Sequence, residues 1–252
     1  MRSSRLDSTP LRLAPLLLVP LAACASSDGG AEADLSPARA LLERSLEHHD
    51  PRGVWGRKAI DVHWRCTDPG GEVKFEYDVV LGPGGDLAFE ARRNGCVVNY
   101  SATGDSLTTK IVGSPVEDLD LHEAMALDRD DGFFWRDYLG FLGGLPMNFA
   151  EPGVLLDPEV ERAELDGREV LALRARFDPA IGTDVWTLYF EPEGAALVGC
   201  RFDRADPERD GETLVFTGET EVAGLRLPRE RRWLMNEDGR FLGTDELTAG
   251  RD

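Results

Sequence analysis

A chain of 252 residues with 47 acidic and 28 basic side chains carries a formal net charge of −19 at pH 7. That field repels nucleic acid and anionic head groups, and nucleic acid is not expected as a partner. The acid is spread along mixed-charge stretches, which a solvated surface explains better than an acidic binding tail. The basic residues other than Lys58, Lys74 and Lys110 are all arginine, a bias that codon usage explains as well as guanidinium chemistry does.

The first residues read as an export signal. Arg2, Arg5 and Arg12 form a positive region, and Leu13 to Leu21 form an apolar run well short of the ~20 residues a spanning helix needs. Leu21-Ala22-Ala23-Cys24 then fits a bacterial lipobox, with small residues ahead of a cysteine. Residues 1–23 are expected to be removed and the Cys24 thiol to be alkylated with diacylglycerol, anchoring the chain to a bilayer. An ordinary secretory signal cleaved after Ala-x-Ala is the competing account. Ala25, rather than Asp, after the cysteine would permit transfer to the outer membrane of a diderm host. Cleavage removes three Arg and one Asp, leaving 229 residues with 25 basic and 46 acidic groups, a net charge of −21. Residues 24–35, small and Ser/Gly-rich, are predicted to be a lipid-anchored flexible tether. With no Pro/Ser-rich break beyond Asp34, residues 36–252 are expected to form a single globular β-rich domain. Cys66, Cys96 and Cys200 cannot all pair internally and fall on apolar faces, so buried thiols are expected.

Ser36-Pro37 opens a helix as N-cap and first helical residue. Ala38, Leu41, Leu42, Ser45, Leu46 and His49 give it one apolar stripe, and Asp50-Pro51 ends it. From Arg57 the period changes to two. Ile60, Val62, Trp64 and Cys66 share a face, and Val73, Phe75, Tyr77, Val79 and Leu81 repeat the pattern after Asp68-Pro69-Gly70-Gly71. Gly82-Pro83-Gly84-Gly85 and Asn94-Gly95 turn the chain into strands at Leu87–Ala91 and Cys96–Tyr100. Glu117 to Asn148 interrupts the strands with a dense apolar segment, Phe133 to Leu142, predicted to be helical and stopped by Gly143-Gly144-Leu145-Pro146. Strands resume around Asp166-Gly167, with Leu171, Leu173, Ala175 and Phe177 on one face. Trp186, Leu188 and Phe190 follow, then Ala196, Val198, Cys200 and Phe202 on one face. Further strands flank Ala223-Gly224 and Asn236-Glu237-Asp238-Gly239. The expected fold is mainly β (α+β): a curved antiparallel sheet, an unclosed half-barrel of about 10–11 strands wrapped around 2–3 helices.

This order of elements resembles the lipoprotein-carrier fold of LolA and LolB, in which an unclosed barrel wraps helices around an apolar cavity. Asp184 to Phe202 and Gly224-Leu225-Arg226-Leu227-Pro228 look like that superfamily's late strands. The chain also resembles an uncharacterised family of bacterial lipoproteins with a domain of unknown function. The matching stretches are His49-Asp50-Pro51 with Trp55, Tyr138 through Gly144-Leu145-Pro146-Met147, and Phe241-Leu242-Gly243-Thr244-Asp245. The carrier resemblance implies binding of an apolar small molecule or a lipidated protein; the family resemblance implies no activity.

Catalytic signals are absent from the sequence: there is no Gly-x-Ser-x-Gly, His-Glu-x-x-His or Gly-rich phosphate loop. His48-His49-Asp50, with His63 or His122, could supply metal ligands, but adjacent helical residues point about 100° apart, and no metal or other cofactor is expected. Asp128-Arg129-Asp130-Asp131-Gly132 departs from the calcium-loop spacing and fits a solvated helix cap. Ser45 with His49 one turn on is explained by helix packing. The aromatic insertion carries the most functional content. Phe134, Tyr138, Phe141, Leu145 and Met147, with Trp186 from the sheet, are the candidate cavity lining; the plain alternative is that they fill the core. Gly140, Gly143 and Gly144 are expected to permit movement there. His49 and Trp55 are candidate interaction residues. The favoured function is thus a non-catalytic envelope lipoprotein that binds a hydrophobic ligand or lipidated partner, anchored to the outer membrane if the host is diderm. A second account is a surface interaction protein with a filled core and an exposed patch among Trp55, His63 and the Arg229–Arg232 strand. A third is an unrecognised hydrolase or metalloenzyme.

Overall fold

In the computed structural model, residues 36–93, 95–114, 120, 121, 125, 127, 133–206 and 210–250 are described. The signal segment, Cys24, the tether, Asn94, His122 and the Asp128–Gly132 loop lie outside them. The first helix, α1 (Pro37–His49), starts and stops where the sequence places it. The Ser36 hydroxyl accepts the Arg39 N–H at 3.2 Å, and the Asp50 N–H closes the last turn on the Leu46 carbonyl at 2.7 Å. Its buried stripe is Ala38, Leu41, Leu42, Ser45 and His49.

Twelve strands among the described residues follow. They are β1 (Ile60–Thr67), β2 (Val73–Leu81), β3 (Leu87–Arg93), β4 (Cys96–Thr103), β5 (Ser106–Val112), β6 (Val154–Leu165), β7 (Arg168–Phe177), β8 (Val185–Phe190), β9 (Leu197–Asp203), β10 (Glu212–Val222), β11 (Leu225–Met235) and β12 (Phe241–Ala249). They form one antiparallel sheet in the order β5-β4-β3-β2-β1-β12-β11-β10-β9-β8-β7-β6. Two meanders, β1–β5 and β6–β12, are thus welded side by side through β1 and β12, with Val62 opposite Ala249 and Cys66 opposite Asp245. β5 and β6 remain as the two edges, so the sheet is unclosed.

The count exceeds the sequence expectation by β5, whose Ser-Leu-Thr-Thr-Lys-Ile-Val run offers only Leu107 and Ile111 to the core side, both half-buried. A second departure lies at the β8–β9 pairing. The register shifts between Tyr189 and Phe190, so that Phe190 faces Leu197. Val198 thereby leaves the face of Cys200 and Phe202 and joins Leu165, Val170 and Val215 in a small second cluster.

Among the described residues of the insertion between β5 and β6 are α2 (Phe134–Gly143) and a short 3-10 turn, Met147–Ala150. Among the described residues no helix is long and apolar enough to cross a membrane. α2 lies over β3, and α1 lies over β6, β11 and the 3-10 turn. Aromatic side chains gather beneath α2 in two groups. Phe75, Tyr77, Phe89 and Trp135 pack with centroids 5.3–6.2 Å apart. Phe141, Phe149, Phe177 and Trp186 pack at 4.8–5.9 Å, and Trp186 continues to Phe202 at 5.1 Å.

The glycines at the end of α2 act by absence of a side chain, not by freedom of motion. A Cβ on Gly143 would stand 2.6 Å from Leu81 Cδ1, and one on Gly144 would strike Trp55 and stand 2.5 Å from the Asn148 amide. A Cβ on Gly140 would meet nothing within 4 Å. Gly144→Ala should therefore destabilise the fold by about 1–3 kcal/mol through overpacking. Gly140→Ala, inside the helix, should be neutral or stabilise by up to ~1 kcal/mol. Thermal unfolding of the two variants beside the parent protein checks both signs.

Candidate functional site

The carbonyls of the last turn of α2 have spare accepting capacity beyond the Gly144 cap N–H, and this fold supplies donors from two directions. The Asn148 amide donates to the Phe141 carbonyl at 2.8 Å and to the Gly140 carbonyl at 3.3 Å. Arg231 Nη2 donates to the Leu142 carbonyl at 3.3 Å. Arg231 comes from β11 and is 0% exposed. Its guanidinium lies 4.5 Å from the Trp64 ring centroid, a cation–π contact.

Register explains how a charged side chain reaches this place. Leu225, Leu227, Arg231 and Trp233 are buried on β11. Arg231 lies opposite Asp245 on β12 and Phe216 on β10. Asp245 in turn faces Cys66 on β1, which faces Phe75 on β2. One row of the sheet therefore reads Phe75, Cys66, Asp245, Arg231, Phe216, and the neighbouring row carries Tyr77 opposite Trp64.

The chemistry of this row is set by burial. Loss of water raises the Asp245 carboxyl above its ordinary value, against the stabilising effects of Cys66, the Arg231 charge and the Trp233 and Trp64 indoles. Trp233 Nε1 donates to Asp245 Oδ2 at 2.9 Å. Burial also pushes the Cys66 thiol well up and the Cys200 thiol up to about 12. Neither is a thiolate nucleophile near neutral pH. Glu212 at the start of β10 is 5% exposed, and burial raises it to about 7; Arg204 opposes that shift while Asp210 and Asp245 add to it. Among the buried side-chain atoms, the Tyr77 hydroxyl and Arg231 Nε and Nη1 have no hydrogen-bond partner.

The residues anticipated as a cavity lining divide between the two aromatic groups. Phe134 and Tyr138 stack at 5.4 Å and stay half-buried, and Tyr138 stacks on Trp233 at 6.5 Å. Phe141, Leu145, Met147 and Trp186 are buried, with Phe141 4.8 Å from Trp186. The six line one continuous core and do not converge on a single point.

His49 faces inward. Its Nδ1 lies 2.5 Å from the Arg226 carbonyl, and its Nε2 accepts the Leu197 N–H at 2.9 Å. That pair of partners fixes a neutral ring protonated on Nδ1, and burial lowers its pKa accordingly. His49 ties α1 to β11 and β9 and makes its contacts within the chain. Trp55 is half-buried over Gly144, and the loop before it is set by Asp50, whose carboxylate accepts the Val54 and Trp55 N–H groups at 2.7 and 2.9 Å.

His48 and His49 come closer than helix geometry alone suggests: with Glu219 their ligand atoms lie within 4.8 Å of one another. His49, however, has committed both ring nitrogens to the backbone, and His48 Nε2 is 2.6 Å from Glu219 Oε1. An ion would have to break one of those bonds.

The patch expected among Trp55, His63 and Arg229–Arg232 does not exist as one exposed surface. His63 is buried with its ring nitrogens 2.8 Å from Asp78 and 3.2 Å from Glu76. Arg231 points inward, and Arg232 points away to Asp166 at 3.2 Å.

Arg231, Asp245, Glu212 and the Trp64–Tyr77 pair are the polar residues of the concave face that sequence reasoning passed over as site candidates. The signal was available: Arg231 shares the alternating phase of Leu225, Leu227 and Trp233.

Residues 116–249 match the DUF6503 family, described as a family of unknown function. No curated protein matches the chain. A solved LolA superfamily protein from Nitrosomonas europaea aligns at 10% identity and a TM-score of 0.45, covering 85% of this chain and 94% of that one. A DUF1329 family protein from Desulfovibrio piger aligns at 11% and 0.41, covering 84% and 91%. An outer membrane lipoprotein-sorting protein domain from Vibrio parahaemolyticus aligns at 10% and 0.41, covering 85% and 92%.

A carboxyl raised by burial favours the folded state only while protonated. The Glu212 contribution is full below pH 4.5 and is lost as pH rises through about 7, a swing of about 3 kcal/mol. The melting temperature should fall between pH 5 and pH 8, and Glu212→Gln should flatten that fall. Calorimetry at a series of pH values measures it.

Proposed function

We infer that this chain, which belongs to the DUF6503 family of unknown function, is a non-catalytic envelope lipoprotein that holds an apolar ligand, or the acyl part of a lipidated partner, between its sheet and α2. Cys24 is its point of attachment to the bilayer, and the domain faces the periplasm or the cell exterior. The observation that carries this reading is the uneven fastening of α2. Its C-terminal turn is locked by Asn148, Arg231, Leu81 and Trp55. Its N-terminal half instead presents Phe133, Phe134 and Tyr138, half-buried, with Phe75 of β2 half-buried alongside Trp135. A strip of aromatic side chains that is neither fully packed nor free of the core is a surface suited to an acyl chain. The unclosed sheet contributes the wall, and the face under α2 is apolar apart from the row around Arg231.

Two measurements test this. Native mass spectrometry of the protein purified from a bacterial host should reveal a bound species that organic extraction removes. Phe134→Ala and Tyr138→Ala should weaken its retention severalfold while leaving the melting temperature within a few degrees of the parent. A uniformly ligand-free mass, with no uptake of an environment-sensitive apolar dye, would overturn the reading. Cys24→Ser should move the protein from the membrane fraction to the soluble fraction and remove the diacylglycerol mass; unchanged fractionation would overturn the anchor.

A further inference from the structure

The concave face under α2 carries a polar set with a consistent bias toward donors. Arg231 is fully buried and uses Nη2 on the Leu142 carbonyl, while Nε and Nη1 have no partner. The guanidinium stacks on Trp64, whose indole N–H is directed at the Asp245 carboxyl. Tyr77, opposite Trp64 on the next strand, has a hydroxyl without a partner. The adjacent acid is Asp245, which attracts the Arg231 charge without a direct ion pair and already receives the Trp233 indole N–H. Unpartnered buried donors are costly, and a buried cation with no directly bonded anion costs more. The complementary species is one that accepts several hydrogen bonds and bears a negative charge.

We propose that Arg231 and Tyr77, on either side of Trp64, form the head-group end of the ligand site, and that the ligand is a single-chain amphiphile ending in an anionic oxygen group, a carboxylate or a phosphate monoester. This rests on the reading that the concave face holds an apolar ligand, and it specifies which one. The guanidinium and the Tyr77 hydroxyl take the oxygens. The chain then runs under α2 along the aromatic groups, which begin beside the donors with Tyr77, 5.5 Å from Trp135, and Phe75, 5.7 Å from Tyr77. The protein's overall charge of −19 works against adventitious uptake of anions. Preference for an anionic head over a neutral one is therefore diagnostic of a local site.

The test compares three probes of equal chain length on the purified, delipidated protein: dodecanoate, dodecyl phosphate and 1-dodecanol, titrated calorimetrically below their aggregation concentrations. At least one anion should bind about tenfold or more tightly than the alcohol, as a charge-assisted contact to a buried guanidinium requires. A lead for dodecanoate assigns a fatty acid, and a lead for dodecyl phosphate assigns a phosphate-headed lipid. Arg231→Met should erase the difference between anion and alcohol. If that variant does not fold, the comparison on the parent protein and Tyr77→Phe, which removes only the hydroxyl and should weaken the anion severalfold but not the alcohol, carry the decision. Equal affinity for all three probes overturns the head-group assignment and leaves the apolar site standing. No binding of any probe overturns both.

Discussion

A guanidinium sealed from water in the middle of an apolar sheet face is the constraint around which this molecule is arranged. Removing such an ion from solvent costs several kcal/mol, and the sheet offers only partial compensation. One hydrogen bond runs to the Leu142 carbonyl, the Trp64 ring lies beneath, and Asp245 stands on the facing strand. A cation–π contact in a desolvated place contributes about 2 kcal/mol. The bond to Leu142 also meets the negative end of α2, where a cation is favourable. The position of α2 and the identity of residue 231 are thus coupled. The helix supplies a carbonyl that the cation needs, and the cation supplies a donor that the helix end needs.

That coupling gives a physical account of the three stretches by which the chain resembles its family. His49-Asp50-Pro51 with Trp55 ends α1, anchors it through the His49 ring to β9 and β11, and delivers Trp55 onto Gly144. Tyr138 through Met147 runs from the half-buried part of α2 through its locked end and exit. Phe241-Leu242-Gly243-Thr244-Asp245 brings Asp245 opposite Arg231. There Gly243 at φ +143°, with the Thr67 carbonyl against the place of a Cβ, lets β12 lie tightly against β1. Stretches far apart in sequence meet at one helix end. Their chemistry is a mixture of capping, close approach and ion burial.

Much of the architecture was legible because period two and turn chemistry act locally. Asp68-Pro69-Gly70-Gly71, Gly82-Pro83-Gly84-Gly85, Asp166-Gly167 and Ala223-Gly224 all fall between strands, and Ser36-Pro37 opens α1. What escaped depended on partners. β5 has too few apolar side chains to announce itself and is a strand because β4 offers an edge. Val198 changes face through a register shift that only the β8–β9 pairing defines. Gly143 and Gly144 read as hinges in one dimension and as contact points in three. Arg231 was in phase with its apolar neighbours, but its charge suggested solvent, and the compensating carbonyl lies 89 residues away.

The open sheet raises its own physical problem, since two unpaired edges invite pairing with other chains. β6 answers it by composition. Pro158 falls within the register shift between Leu156 and Val160, where the ladder is already interrupted. Asp157, Glu159, Glu161, Arg162 and Glu164 load the same strand with charge. β5 is short, and Ser106, Thr108 and Lys110 keep its outward side polar apart from Val112. Closing the barrel would have removed both edges; left open, the sheet protects the β6 edge by charge and proline instead. An unclosed wall and a charged β6 edge then go together with an apolar face that is packed by helices and not by further strands.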